Sequence, residues 1–138
     1  MNRRIPHARA IYSGLPSLLR PQVLEEVRTG ACGLLYLSPE QLRNDGIVRL
    51  LKSREIGAVV FDEAHCLSQW GHDFRTDYPY VLQAIRRITQ TGPMPPVFLF
   101  TATTQPDSTR DIVEYAQTLS GHDVQVVDGG SARDNLTY

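Results

Sequence analysis

The chain has 138 residues, 41% hydrophobic and 21% charged, the make-up of an ordinary globular domain long enough to bury a core. Fourteen basic residues, thirteen of them Arg, against fifteen acidic ones give a net charge of −1, so any contact with nucleic acid has to come from a local site. No apolar stretch approaches the ~20 residues that cross a bilayer, no secretory pattern opens the chain, and Cys32 and Cys66 lack the CxxC spacing of a metal or redox pair. The expectation is reduced thiols, no membrane partner, and residence in the cytoplasm (nucleoid) or nucleus.

Residues 8–12 read as a first strand. Residues 21–29 follow as a helix with Pro21 in its first turn and Gly30 just past its end. A second strand spans 33–37. Ser38 can then cap, Pro39 fits a first turn, and Gln41 completes an S-x-x-Q capping box for a helix burying Leu42, Ile47, Leu50 and Leu51. Residues 58–61 form the third strand, and a helix from about 79 to 89 follows an Asp77 cap. The fourth strand covers 97–100. A last helix starts near Asp107 or Ser108 and stops at Gly121, before a fifth strand at 124–127. The middle three strands are near-continuous apolar runs, the pattern of strands buried on both faces of a parallel sheet. This alternation predicts an α/β fold of βαβ units, a mostly parallel sheet flanked by helices. Ligands in such folds bind where strands run out into loops.

The third strand delivers two adjacent carboxylates, Asp62 and Glu63, to its end. Burying both beside an apolar strand is costly without a compensating cation, and a hydrated Mg²⁺ carrying nucleotide phosphates takes such oxygen ligands. Asp62 would hold the Mg²⁺ shell, and Glu63 would orient and deprotonate the attacking water. A glycosidase pair must face each other across a sugar, ~5–9.5 Å apart, which strand neighbours pointing to opposite sides do not. The next segment, Gln69-Trp70-Gly71-His72-Asp73-Phe74-Arg75, is unusual for a turn. Its aromatics either pack into the core or form a stacking platform for single-stranded DNA, at ~1–3 kcal/mol per base. Arg75 would then meet a phosphate or an aromatic face.

Asp62-Glu63-Ala64-His65 is the DEAH box, and its continuation Cys66-Leu67-Ser68-Gln69-Trp70-Gly71-His72-Asp73-Phe74-Arg75 is similar to the aromatic-rich loop of RecQ-family DNA helicases. The resemblance implies ATP and Mg²⁺ as cofactors, with Asp62, Glu63 and His65 in catalysis and Asp62 the metal ligand. It implies that Trp70, Phe74 and Arg75 sense DNA while His65, Gln69 and His72 relay towards the nucleotide. Ser38-Pro39-Glu40-Gln41-Leu42 resembles the S-P-E-x-L motif, implying contact of Ser38 and Glu40 with the DNA backbone at a helix N-terminus. The capping box accounts for the same residues, and the two readings are compatible. Thr101-Ala102-Thr103 resembles the S/T-A-T coupling motif, and residues 131–136 partly match an R-P-N-L stretch, with Asp134 in place of proline. Thr76 stands where the family commonly has proline.

No G-x-x-x-x-G-K-[ST] occurs, and the single lysine, Lys52, has no glycine placed before it. The resemblance therefore implies a truncated RecA-like motor domain 1 without its P-loop strand: residues 1–130 its C-terminal portion, and 131–138 the start of a linker towards a second motor domain. Its partners would be single-stranded or duplex DNA and the rest of the motor, for 3′–5′ unwinding in repair and recombination. Alone it is expected to be inactive, with uncovered apolar surface that favours association. The alternative is a non-catalytic DNA- or partner-binding remnant. A zinc site from His65, Cys66, His72 and Asp73 lacks the paired spacing of structural zinc, so no zinc is expected.

Overall fold

The computed structural model describes residues 7–68, 78–90, 92–102 and 106–127. Four strands and four helices occur among them: β1 (Ala8–Ile11), α1 (Arg20–Thr29), β2 (Leu34–Leu37), α2 (Asp45–Lys52), β3 (Val59–Phe61), α3 (Tyr78–Thr89), β4 (Val97–Leu99) and α4 (Pro106–Ser120). Short 3-10 turns at Pro39–Arg43 and Ala64–Leu67 come after β2 and β3. The strands pair in parallel, β1 with β2 in the register Ala8 to Leu34, and β3 with β4 in the register Val59 to Val97. The parallel α/β architecture is thus as expected, built as two strand pairs.

Helix α1 ends where Gly30 takes a left-handed backbone, φ 84°, and its N–H bonds the carbonyl of Val27. Glycine reaches that region without a Cβ penalty. The helix expected to start at Ser38 is instead broken at Asn44. The Asn44 side chain accepts from the N–H groups of Gly46 and Ile47, so a fresh N-cap begins α2 there. The capping box does not form. Ser38 makes no side-chain cap bond, and Gln41 accepts from Arg20 Nη2 at 2.8 Å, which ties the turn to α1.

Burial on both strand faces is also overturned. Leu35, Leu37, Val59, Phe61, Val97 and Leu99 face the core, while Leu34, Tyr36, Val60, Phe98 and Phe100 are exposed. Helix α1 packs on β1 and α4 on β4, and among the described residues no helix covers the opposite face. Residues 124–127 form no strand, and Val126 and Val127 are exposed. The core joins Ile11, Ile47, Phe61, Ala84, Ile85 and Ile112, with Phe61 edge-on to Tyr115 at 5.8 Å.

Candidate functional site

The site grows out of the carboxyl ends of β3 and β4. Their ladder continues past the strands, with Phe100 N–H bonding Phe61 O and Ala64 N–H bonding Phe100 O, both at 2.8 Å. Asp62 and Glu63 sit inside this clamp, and both are exposed. The expected desolvation of the acid pair is therefore absent from this chain. The Glu63 N–H bonds Asp62 Oδ1 at 2.9 Å, which orients the Asp62 carboxylate. Glu63 itself has φ 51° and ψ 48°, a left-handed conformation that a side chain adopts only against strain. Ala64, Cys66 and Leu67 anchor the adjoining turn in the core, and that burial holds the strained residue in place.

His65 links the two strand ends. Its Nδ1 lies 3.2 Å from Thr101 Oγ1, just past β4, and 3.2 Å from Glu63 Oε2. With the proton on Nδ1 the ring donates towards both oxygens; without it, Nδ1 accepts from the Thr101 hydroxyl. One ring nitrogen thus bridges Glu63 and Thr101.

A second polar cluster lies at the ends of β1 and β2. Glu40 Oε1 accepts from the Ser13 hydroxyl at 2.8 Å and from the Ser38 hydroxyl. The Ser38 bond is the main reason that the Glu40 carboxyl is lowered from 4.5 to about 2, against an opposing effect of burial, with Ser13 adding to the lowering. Sequence reasoning placed Ser38 and Glu40 at a helix N-terminus that meets DNA phosphates. The turn there is a five-residue 3-10 helix whose first turn holds the Glu40 anion, so the helix-dipole argument for that contact does not apply.

The structure brings Glu63, His65 and Thr101 together, and separately Ser13, Ser38 and Glu40. Gln69, Trp70, His72, Phe74, Arg75, Thr103 and the residues 131–136 lie outside the described residues. Sequence reasoning missed Ser13 and also missed Asp111, which accepts from the Ser68 hydroxyl at 2.7 Å. No periodicity connects partners 27 or 43 positions apart. Among the described residues no three His, Cys, Asp or Glu side chains converge on a metal-sized site, and no helix is long and apolar enough to cross a membrane.

A unit of short parallel strands flanked by helices, with an Asp-Glu pair at one strand end, has the layout of a RecA-like domain. The family model for the DEAD/DEAH box helicase matches residues 5–112, and the chain belongs to that family. It is 34% identical over 115 residues to the ATP-dependent DNA helicase RecQ of Bacillus subtilis, covering 83% of this chain and 18% of that protein. It is 40% identical over 106 residues to the probable ATP-dependent DNA helicase RecS of the same organism, covering 77% and 20%. With the RecQ-like DNA helicase BLM of Xenopus laevis it shares 37% identity over 112 residues, covering 76% and 8%. The resemblance to RecQ-type helicases holds over most of the chain, which spans about a fifth or less of the length of these relatives.

Proposed function

We propose that this chain is the acid-box portion of the first motor domain of an ATP-dependent DNA helicase, which couples ATP hydrolysis to translocation on single-stranded DNA and 3′–5′ unwinding in repair and recombination. The observation that carries the reading is the meeting of Glu63 and Thr101 at His65 Nδ1, because it joins the acid box to the neighbouring strand end. The donor set fits the expected cofactor. Asp62 is an exposed, oriented carboxylate at the carboxyl end of a parallel strand, the oxygen ligand that Mg²⁺ takes alongside waters and phosphates.

When bound, Mg-ATP supplies the γ-phosphoryl group that passes to water. The chain's residues do the rest. Asp62 holds the metal's shell, Glu63 orients the attacking water and takes its proton, and His65 with Thr101 and Thr103 reports the state of that site across the strand ends. Gln69, Trp70, His72, Phe74 and Arg75 form the single-strand contact and relay, with base stacking on the aromatics. Ser38 and Glu40 border the DNA backbone path. Residues 1–130 form the portion of the motor domain and 131–138 lead towards the next one.

By this reading the 138-residue chain neither hydrolyses ATP nor unwinds DNA by itself, because its sequence offers no P-loop lysine for the phosphates. Phosphate release is to be measured with and without oligothymidylate, on the chain and on Glu63→Gln. Both should match the buffer blank. A DNA-stimulated signal from the chain that disappears in Glu63→Gln would overturn the inactivity and leave the motor assignment standing. The second reading is a non-catalytic DNA- or partner-binding remnant. It predicts wild-type DNA binding in Asp62→Ala and no recovery of ATPase when a phosphate-binding segment is joined in frame.

A further inference from the structure

Residues 124–127 have the sequence of a strand, yet no strand among the described residues pairs with them. Across a cleft of about 550 Å³ from them lies β4, and its ladder shows which of its edges is in use. Val59 N–H bonds Pro96 O at 2.9 Å and Phe100 N–H bonds Phe61 O at 2.8 Å, with Phe98 opposite Val60 in the parallel register between them. Backbone groups alternate between the two edges of a strand, so the N–H and C=O of Val97 and Leu99 point away from β3. Among the described residues no strand pairs with that outer edge. Ala116 and Ser120 of α4 line the cleft, and Val124 and Val127 form its far wall. Unpaired backbone groups beside apolar surface are a template for pairing. A small apolar molecule would cover the side chains and leave the Val97 and Leu99 groups unsatisfied. An extended backbone meets them at their own two-residue spacing and offers its second edge to residues 124–127. The far wall disfavours the edge of another folded sheet, which would bring its neighbouring strand along.

We propose that the cleft between β4 and residues 124–127 takes up one extended segment of another polypeptide, which pairs with the outer edge of β4 and draws residues 124–127 into the sheet. Alternate side chains of that segment would lie over Ala116 and Ser120, where small or β-branched residues fit. Neither β4 nor residues 124–127 carry a charge, so the fit calls for an uncharged stretch. The inference uses neither the acid box nor DNA, and it stands or falls apart from the reading above.

The test uses a labelled peptide of alternating valine and threonine with lysines at its ends for solubility, beside the same peptide fully N-methylated. Anisotropy is read on the chain, Val97→Pro and Leu99→Pro, and amide hydrogen exchange on the chain with and without peptide. In the free chain the amides of Val97 and Leu99 should exchange faster than those of Phe98 and Phe100, and the peptide should slow them at least roughly tenfold. Binding should saturate and be lost with the N-methylated peptide. It should weaken roughly tenfold in either proline variant, the scale of one hydrogen bond, because proline there removes only an outward N–H. No binding, or equal binding of the N-methylated peptide, overturns the proposal. Protection of Val97 and Leu99 in the free chain equal to that of Phe98 and Phe100 does so too. Dimerisation seen by light scattering and abolished in Leu99→Pro would assign the edge to a second copy and also overturn it. If neither proline variant folds, the N-methylated peptide and the exchange comparison on the wild-type chain decide.

Discussion

Both strand pairs end in acids, and the two ends treat them in opposite ways. At the β1–β2 end, Glu40 is partly buried, accepts from Ser13 and Ser38, and has its carboxyl lowered to about 2. At the β3–β4 end, Asp62 and Glu63 stay exposed, and Glu63 is kept in a left-handed backbone by the clamp on Ala64. A carboxylate that accepts from two neighbouring hydroxyls on one oxygen is tied into the turn that carries it. Glu63, held exposed against backbone strain, is the candidate for chemistry. The difference separates a structural acid from candidate chemistry more sharply than the residue type does.

The largest effect should come from removing the support of the exposed pair. Phe61→Ala, at the last position of β3 and edge-on to Tyr115, should cost about 3–5 kcal/mol, read by urea unfolding. A cost below about 1 kcal/mol would mean that the acid box does not rest on this core contact. Acid titration then tests the other end. Glu40 carries its stabilisation above the ordinary value of 4.5 and loses it as pH falls through that value towards about 2. We expect a loss of roughly 1–2 kcal/mol over that window, discounted for its partial exposure, and a flatter pH profile in Glu40→Gln. An unchanged profile in Glu40→Gln would contradict the structural role.

Smaller still is the strain itself. Glu63→Gly should be more stable than Glu63→Ala by about 1 kcal/mol, since only glycine accepts φ 51° freely; equal Tm values would show the strain to be absent. Least of all, Phe98→Thr on the exposed sheet face should change unfolding free energy by under about 0.5 kcal/mol. It should still reduce concentration-dependent light scattering, if that apolar face drives association.

The parallel α/β class, the four helices and the acid box were legible because each rests on local pattern: apolar runs, caps, and a contiguous motif. What the sequence hid depends on contacts across the chain. The Asn44 break looked like helix interior, because nothing local says that Gln41 is drawn away to Arg20. Tyr36 and Phe98 have the apolar character of buried strand positions, and only the layout of the helices shows that their face is left open. The candidate site divides in the same way. Asp62 and Glu63 were named from their place at a strand end and His65 from the resemblance to the DEAH box, whereas Ser13 and Asp111 emerge only when distant segments meet. The burial expected for the acid pair was wrong because the turn buries its neighbours, Ala64 and Cys66, and lifts the acids clear.

The most direct test of the central claim is binding of the chain to labelled oligothymidylate by anisotropy, beside Trp70→Ala and a duplex of the same length, at low and moderate salt. The account predicts saturable single-strand binding that weakens with salt and falls by at least roughly tenfold in Trp70→Ala, the worth of one base stack. Equal affinity in Trp70→Ala, or no binding by the folded chain at low salt, would contradict it.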